Sequence, residues 1–346
     1  MKLYCFLFLS MITSLCATTL EIEKCGWTNV YKIHFLKEDQ KKNAQKKAII
    51  CEKINVPQFT QMIFSWNAVR PKKGSLIFYS QVRDKKTQQW DSQWNKMAEW
   101  GADIQKSFFS RGTASVFYYA RLEATGFEGA DGFRIKVETR YDHDLSLVKH
   151  LYVSLSDFHS FSSESYKERA QGLPSFMLTN VPQESQMILE HPKANALCSP
   201  TSASMIVGSL VKKNIDPLAF AHSVHDAGLN IYGNWAFNMA HAFEHCKGKA
   251  AFYATRLDSF TSLYNLLKKR VPLAVSVRGP MKGSATPYEK GHILVVVGWD
   301  AQKREVICHD PAFDTIDEVY THYDINEFIV AWERSRRLTY QTQLIV

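Results

Sequence analysis

The chain has 346 residues, 45% hydrophobic and 22% charged, with a formal charge of +8. That composition excludes a wholly disordered chain, and the length favours two domains over one. The positive charge favours anionic partners such as cell-wall polymers, acidic peptides or membrane surfaces. No nucleic-acid partner is expected, because no sequence-reading module is visible.

Met1-Lys2 and the apolar run from Leu3 to about Ala17 have the plan of a secretory signal peptide, assigned to 1–17. The run is shorter than the roughly 20 apolar residues a spanning helix needs. The expected location is therefore secreted, periplasmic or cell-envelope, without stable membrane insertion. Removing the leader takes Cys5 and Cys16 from the seven cysteines and leaves Cys25, Cys51, Cys198, Cys246 and Cys308. An odd number in an exported protein leaves one thiol outside disulfides. The expected pairs are Cys25 with Cys51 and Cys246 with Cys308.

From Phe59 to about Ser156 the chain reads as short strands, at 61–68, 75–79, 114–122, 133–139 and 148–155, with turn residues at 71–74 and 127–132. That pattern predicts a β-sandwich over 18–160. A serine-rich stretch from Ser156 to Ser165 opens a linker placed at 161–180. From Val181 the pattern is mixed, so 181–346 is a second domain and the fold class is α+β. Cys198 to Lys213 reads as a helix with Ala203, Ile206, Val207 and Leu210 on one face. Ser259 caps a second helix carrying Leu263, Leu266 and Leu267. Strands are expected at 271–277, 293–298 and 305–307.

Three short elements carry the candidate chemistry. Leu197-Cys198-Ser199-Pro200 places a cysteine at a helix start, where free amides and the macrodipole favour the thiolate. Alone, such a cysteine is more often structural. Gly291-His292 opens a strand, and Glu305 to Asp310 returns as the second arm of a hairpin. If paired residue numbers sum to 602 or 604, His292 and Asp310 share a face; an odd sum separates them. A carboxylate behind the imidazole is what a Cys–His pair needs for orientation and tautomer. His309 neighbours Asp310 along the strand and so points to the other face. The third element, Val181 to Gln186, offers Gln186 as an oxyanion donor, with Gln183 as its rival.

Val-Pro-x-x-Ser-Gln, Cys-x-Pro-Thr-Ser-x-x-Met, Gly-His-x-x-Val-Val-x-Gly-x-Asp and Asp-Pro, in that order, resemble the bacteriocin-leader-processing-like peptidases of the papain superfamily. The resemblance covers roughly 181 to 335. Tyr232 to Asn238 and the 260–277 segment are similar to the secreted, single-chain bacterial branch. It implies Cys198 as nucleophile, His292 as general base and acid, Asp310 as orienting carboxylate and Gln186 as oxyanion donor. Ser199 departs from the family, where Gly or Glu is more usual. The chain has no transporter, so the double-glycine leader substrate of transporter-fused members is not carried over.

The expected activity is hydrolysis of a peptide or isopeptide amide through a thioester. The alternatives are acyl transfer on the same triad, or an inactive cell-wall or glycan-binding protein. The expected partner is a peptide or protein substrate, with cell-wall material among the candidates. No cofactor and no metal are expected, since His241 and His245 have helical spacing but no third ligand. Trp66, Trp90, Trp94 and Trp100 form either a sugar-stacking platform or core, and core is the favoured reading.

Overall fold

A computed structural model describes residues 19–141, 144–165 and 170–345, so the signal peptide expected at 1–17 lies outside the described residues. The strands of 19–156 form two antiparallel sheets. The first runs, edge to edge, Thr19–Cys25, Thr28–His34, Val148–Ser156, Gln61–Ala68, Arg121–Ala124, Ser115–Tyr118 and Ser110–Arg111. The second runs Ala48–Phe59, Ala130–Arg140, Ser75–Asp84, Asn95–Gly101 and Gln105–Ser107.

Rings from the two sheets touch. Trp66 stacks on Phe78 at 4.2 Å, Phe64 lies 5.6 Å from Phe78, and Tyr31 meets Phe133 edge-on at 5.2 Å. Burying a side chain such as Phe64 or Phe78 contributes about 1.5–3 kcal/mol relative to exposure.

The strand Gln61–Ala68 is buried along its whole length, although every second residue from Gln61 includes polar ones. Met62, Phe64 and Trp66 account for one face. The other is covered by a third sheet, built from the C-terminal region in the order Ala250–Arg256, Leu338–Leu344, Leu273–Val277, His292–Asp300, Glu305–His309 and Tyr320–Asp324. Asn67 donates from Nδ2 to the Phe252 carbonyl and accepts from the Phe252 N–H, at 2.8 and 2.9 Å. Ser65 Oγ accepts from Ala254 N at 3.1 Å, and Arg256 donates to Gln61 Oε1 at 3.0 and 2.7 Å. Polar residues on this face are buried because each one meets main chain or a side-chain partner across the layer.

The chain is thus mixed α/β and mostly sheet, with seven α-helices among the described residues. The run 114–122 splits into Ser115–Tyr118 and Arg121–Ala124. Tyr119 and Ala120 join them at φ 53° and 64°. Two consecutive left-handed residues make the tight turn whose twist matches paired strands. Strands at 19–25, 28–34, 48–59, 95–101, 250–256 and 338–344 lay outside the sequence expectation. So did the helices Pro217–Val224 and Ile325–Arg334. Within 161–180, Phe176 and Met177 pair with Trp299 and Gly298, so the end of the expected linker joins the third sheet. Trp66 and Trp100 are core, whereas half-buried Trp90 and Trp94 lie under the cations of Arg134 and Lys136.

The disulfide expectation is corrected. Neither Cys25–Cys51 nor Cys246–Cys308 is formed, and Cys25, Cys198, Cys246 and Cys308 are free thiols. Cys25 ends a strand of the first sheet and interacts with Asp258, while Cys51 sits on an edge strand of the second. Cys246 follows the helix Trp235–His245 in one core cluster, and Cys308 lies in another. The odd cysteine count therefore says nothing about which thiol is reactive.

Candidate active site

The helix Cys198–Val211 begins on the candidate nucleophile. Leu197 caps it without a side-chain hydrogen bond, and Pro200 has no N–H to leave unpaired. The Cys198 and Ser199 amides precede the first helical hydrogen bond, from Thr201 N–H to the Leu197 carbonyl at 3.0 Å. Ser199 to Gly208 are all buried, so the helix is held on every side. Ser202 Oγ donates to the Ile293 carbonyl at 3.0 Å, and Ser199 Oγ meets the Tyr340 hydroxyl at 2.8 Å. The first of these bonds ties the cysteine helix to the residue after His292.

His292 is the first residue of the strand His292–Asp300, and Asp310 directly follows Glu305–His309. Near the turn, the pairs Asp300↔Glu305 and Trp299↔Val306 have numbers summing to 605. Past a bulge between Val296 and Gly298, Val296↔Cys308 and Val295↔His309 sum to 604. The odd register set at the turn would put His292 and Asp310 on opposite faces. The extra residue at Val297 restores the even register before the strands reach them.

His292 Nε2–H donates to Asp310 Oδ1 at 2.7 Å, which leaves Nδ1 for Cys198, with which His292 shares a hydrogen bond. Asp310 is fully buried and accepts three further hydrogen bonds. Tyr288 and Tyr323 donate to Oδ2 at 2.7 and 2.6 Å, and the Ala312 amide donates to Oδ1 at 3.0 Å. The Tyr288 ring also stacks on His292, with centroids 4.2 Å apart. A carboxylate so saturated holds its charge where burial alone would neutralise it.

Burial opposes ionisation throughout, and the contacts overturn it. Burial disfavours the Cys198 thiolate, but the hydrogen bond and charge of His292, with the Ile293 and Ser199 amides, hold the thiol below its ordinary value. Burial disfavours the His292 imidazolium, but the charge and hydrogen bond of Asp310, with Cys198 behind them, lift it to about 10. Asp310 is held below its ordinary value, since His292 and the two tyrosines outweigh burial. The other thiols go the opposite way: burial pushes Cys25 and Cys246 up to about 12 and Cys308 well above the usual range. Among these four free thiols only Cys198 is held below its ordinary value, beside an imidazole held above its own.

Cys198 and His292 open onto a cleft of about 330 Å³. The first sheet supplies Gln61, Tyr119, Arg121 and Glu123 to its wall, so both regions of the chain enclose it. Gln186 is buried but is not among the cleft-lining residues. Its main-chain N–H donates to the Pro311 carbonyl at 2.8 Å, and its side-chain Oε1 has no hydrogen-bond partner. Ser185 donates to the Phe313 carbonyl, so this loop is pinned to the segment after Asp310. Gln183 is exposed. His309 points away from Asp310 and bonds the Pro182 carbonyl at 2.9 Å. His241 and His245 sit 3.1 Å apart through their Nε2 atoms. Among the described residues no three or more His, Cys, Asp or Glu side chains are gathered to hold a metal ion.

Sequence reasoning missed Tyr288 and Tyr323. The only signal for Tyr288 was its place four residues before His292. Nothing local marked Tyr323, which comes from the neighbouring strand Tyr320–Asp324.

Residues 178–340 match the model of the Peptidase_C39 like family, in agreement with the resemblance carried by the motifs. The match makes that region similar to cysteine peptidases of the C39 type. No curated protein and no solved structure matches the chain.

Proposed function

We propose that the chain is an exported peptidase that hydrolyses a peptide or isopeptide amide through Cys198, His292 and Asp310. The carrying observation is the unbroken polar chain from the Cys198 thiol through His292 to the buried Asp310, with thiol and imidazole pushed in opposite directions. The Cys198 thiolate attacks the carbonyl carbon, and the pair of electrons moves to the oxygen. The Cys198 main-chain N–H at the helix start is assigned to that oxyanion, with Gln186 as the second donor. His292 then gives its Nδ1 proton to the leaving amine, which departs as the thioester forms. Neutral His292 takes a proton from water, the hydroxide attacks the thioester, and the acid leaves as the thiolate and imidazolium re-form.

Asp310 keeps Nε2–H engaged, so Nδ1 alone exchanges protons with thiol and leaving group. The region 18–160 is assigned as a β-sandwich accessory domain that closes one side of the cleft. Export rests on the leader-like run Leu3 to Ala17.

The test is product analysis by mass spectrometry with the purified chain and a peptide library, with and without an added amine. Hydrolysis leaves free carboxylates in both arms, and acyl transfer gives amine adducts in the second. A Cys198→Ala variant with full activity would overturn the mechanism.

A further inference from the structure

Six cations line the cleft that holds Cys198 and His292, against one carboxylate, Glu123. Two of the six are already occupied. Arg121 pairs with Glu123 at 2.6 Å, and buried Arg256 is satisfied by Gln61 and the Ser335 and Arg336 carbonyls. The other four, Arg278, Lys290, Arg334 and Arg336, are exposed, and no carboxylate of the described residues forms an ion pair with any of them.

Their placement is tied to the catalytic strand. Arg278 follows Val277, which pairs with His292, and Lys290 is two residues before His292. Arg334 is folded onto Gly279, whose positive φ and missing side chain make room for the guanidinium. Ser335, between Arg334 and Arg336, bonds Ser276 on the Val277 strand at 3.1 Å. Like charges are thus gathered around one rim with no internal counter-charge, an arrangement that repels itself until an anion arrives.

Resting on the peptidase reading of this site, we propose that the cleft selects acidic peptides, whose carboxylates beside the scissile amide are held by Arg278, Lys290, Arg334 and Arg336. The carboxylate comes from Asp or Glu side chains or from a free C-terminus; guanidinium forks suit both.

The probes are fluorescein-labelled alanine-based hexapeptides with two Glu residues, their Gln counterparts, and each of these with a free or amidated C-terminus. Binding is read by anisotropy on the Cys198→Ala chain, where nothing is turned over, and cleavage on the wild type. The Glu peptides should bind about tenfold tighter at low salt, with the advantage shrinking as added salt screens the rim. A Glu-over-Gln advantage between amidated peptides assigns recognition to side-chain carboxylates, and tighter binding of free over amidated Gln peptides assigns it to the C-terminus; both uphold the proposal. Arg278→Glu with Arg334→Glu should cut the Glu-to-Gln preference about tenfold, and the milder Arg278→Gln by a smaller factor; both sites are exposed, so folding is spared. Equal binding of all four peptides, Glu and Gln, free and amidated, with all cleaved, overturns the acidic selection and leaves the peptidase reading intact. Selective binding of Glu peptides with no cleavage by the wild type upholds the selection and removes the hydrolytic reading.

Discussion

The face of the first sheet and the floor of the cleft both bury polar side chains, and they do so for different ends. Gln61, Ser65 and Asn67 are neutral, and each meets a partner on the strand Ala250–Arg256. Cys198, His292 and Asp310 are ionisable, and their contacts push them apart in charge. Neutral side chains satisfied across the layer fasten two sheets; ionisable groups driven in opposite directions store a charge separation that chemistry can use. The two networks meet at Arg256, which bonds Gln61 on one side and lines the cleft on the other.

The sharpest test of that contrast is Cys198→Ala. It removes the nucleophile while leaving the layers untouched, so kcat/KM should fall by about 10³-fold or more with the unfolding midpoint little changed. Peptide turnover and urea unfolding on the same preparation check both halves. A large drop in stability with partial activity would mean that the site is part of the fastening.

Asp310→Asn comes next. It keeps the shape but removes the charge that lifts His292, so kcat should fall by about 10²–10⁴-fold. The pH profile should change with it. In the wild type the productive pair needs Cys198 deprotonated and His292 protonated. Activity is lost as pH falls through the lowered thiol value and as it rises through about 10, where His292 gives up its proton. Acid is thus expected to inactivate through Cys198 and not through His292, because Asp310 lifts the imidazole. In Asp310→Asn the alkaline limb should move to lower pH, and iodoacetamide should label Cys198 more slowly at neutral pH. An unmoved alkaline limb would detach Asp310 from the titration.

The sequence disclosed much of this site and little of what surrounds it. Cys198, His292 and Asp310 were readable because each sits at the end of a local element, a helix start or an arm of one hairpin. The register was not readable: parity depends on a bulge at Val297, and neither Val295 nor Val296 differs in kind from Val297. Tyr323 was invisible because it reaches Asp310 from another strand. The strand Gln61–Ala68 was legible as a strand, but nothing in its alternating Gln, Ser and Asn announced that they are buried. Only the third sheet, nearly 190 residues further along (Asn67 to Phe252), explains their burial. In Thr19–Cys25 the alternation Leu20-Glu21-Ile22-Glu23 was a strand signal that the sequence reading missed.

Tyr288→Phe separates support from charge. The ring still stacks on His292, but one hydrogen bond to Asp310 is lost. The carboxylate should be held less firmly below its ordinary value, kcat should fall about three- to tenfold, and KM should stay level. A change confined to KM would place Tyr288 in substrate binding instead.

Asn67→Ala probes the fastening alone. It strips partners from both the N–H and the carbonyl of Phe252, which lie buried between the layers. Leaving such groups unpaired costs about 1–3 kcal/mol each, partly recovered by local relaxation, so a loss of about 2 kcal/mol is expected from urea midpoints. Turnover at low temperature should change less than twofold, because Asn67 touches no residue of the triad. The decisive comparison is between probes: tryptophan fluorescence, to which buried Trp66 and Trp100 contribute from the first two sheets and Trp299 and Trp332 from the C-terminal region, against loss of activity. Coincident transitions mean that the first sheet and the catalytic region unfold as one cooperative unit, with the polar face as their joint. Activity lost at lower urea than fluorescence would show the catalytic region coming away first, and the contrast between fastening and chemistry would then mark a boundary in folding as well as in function.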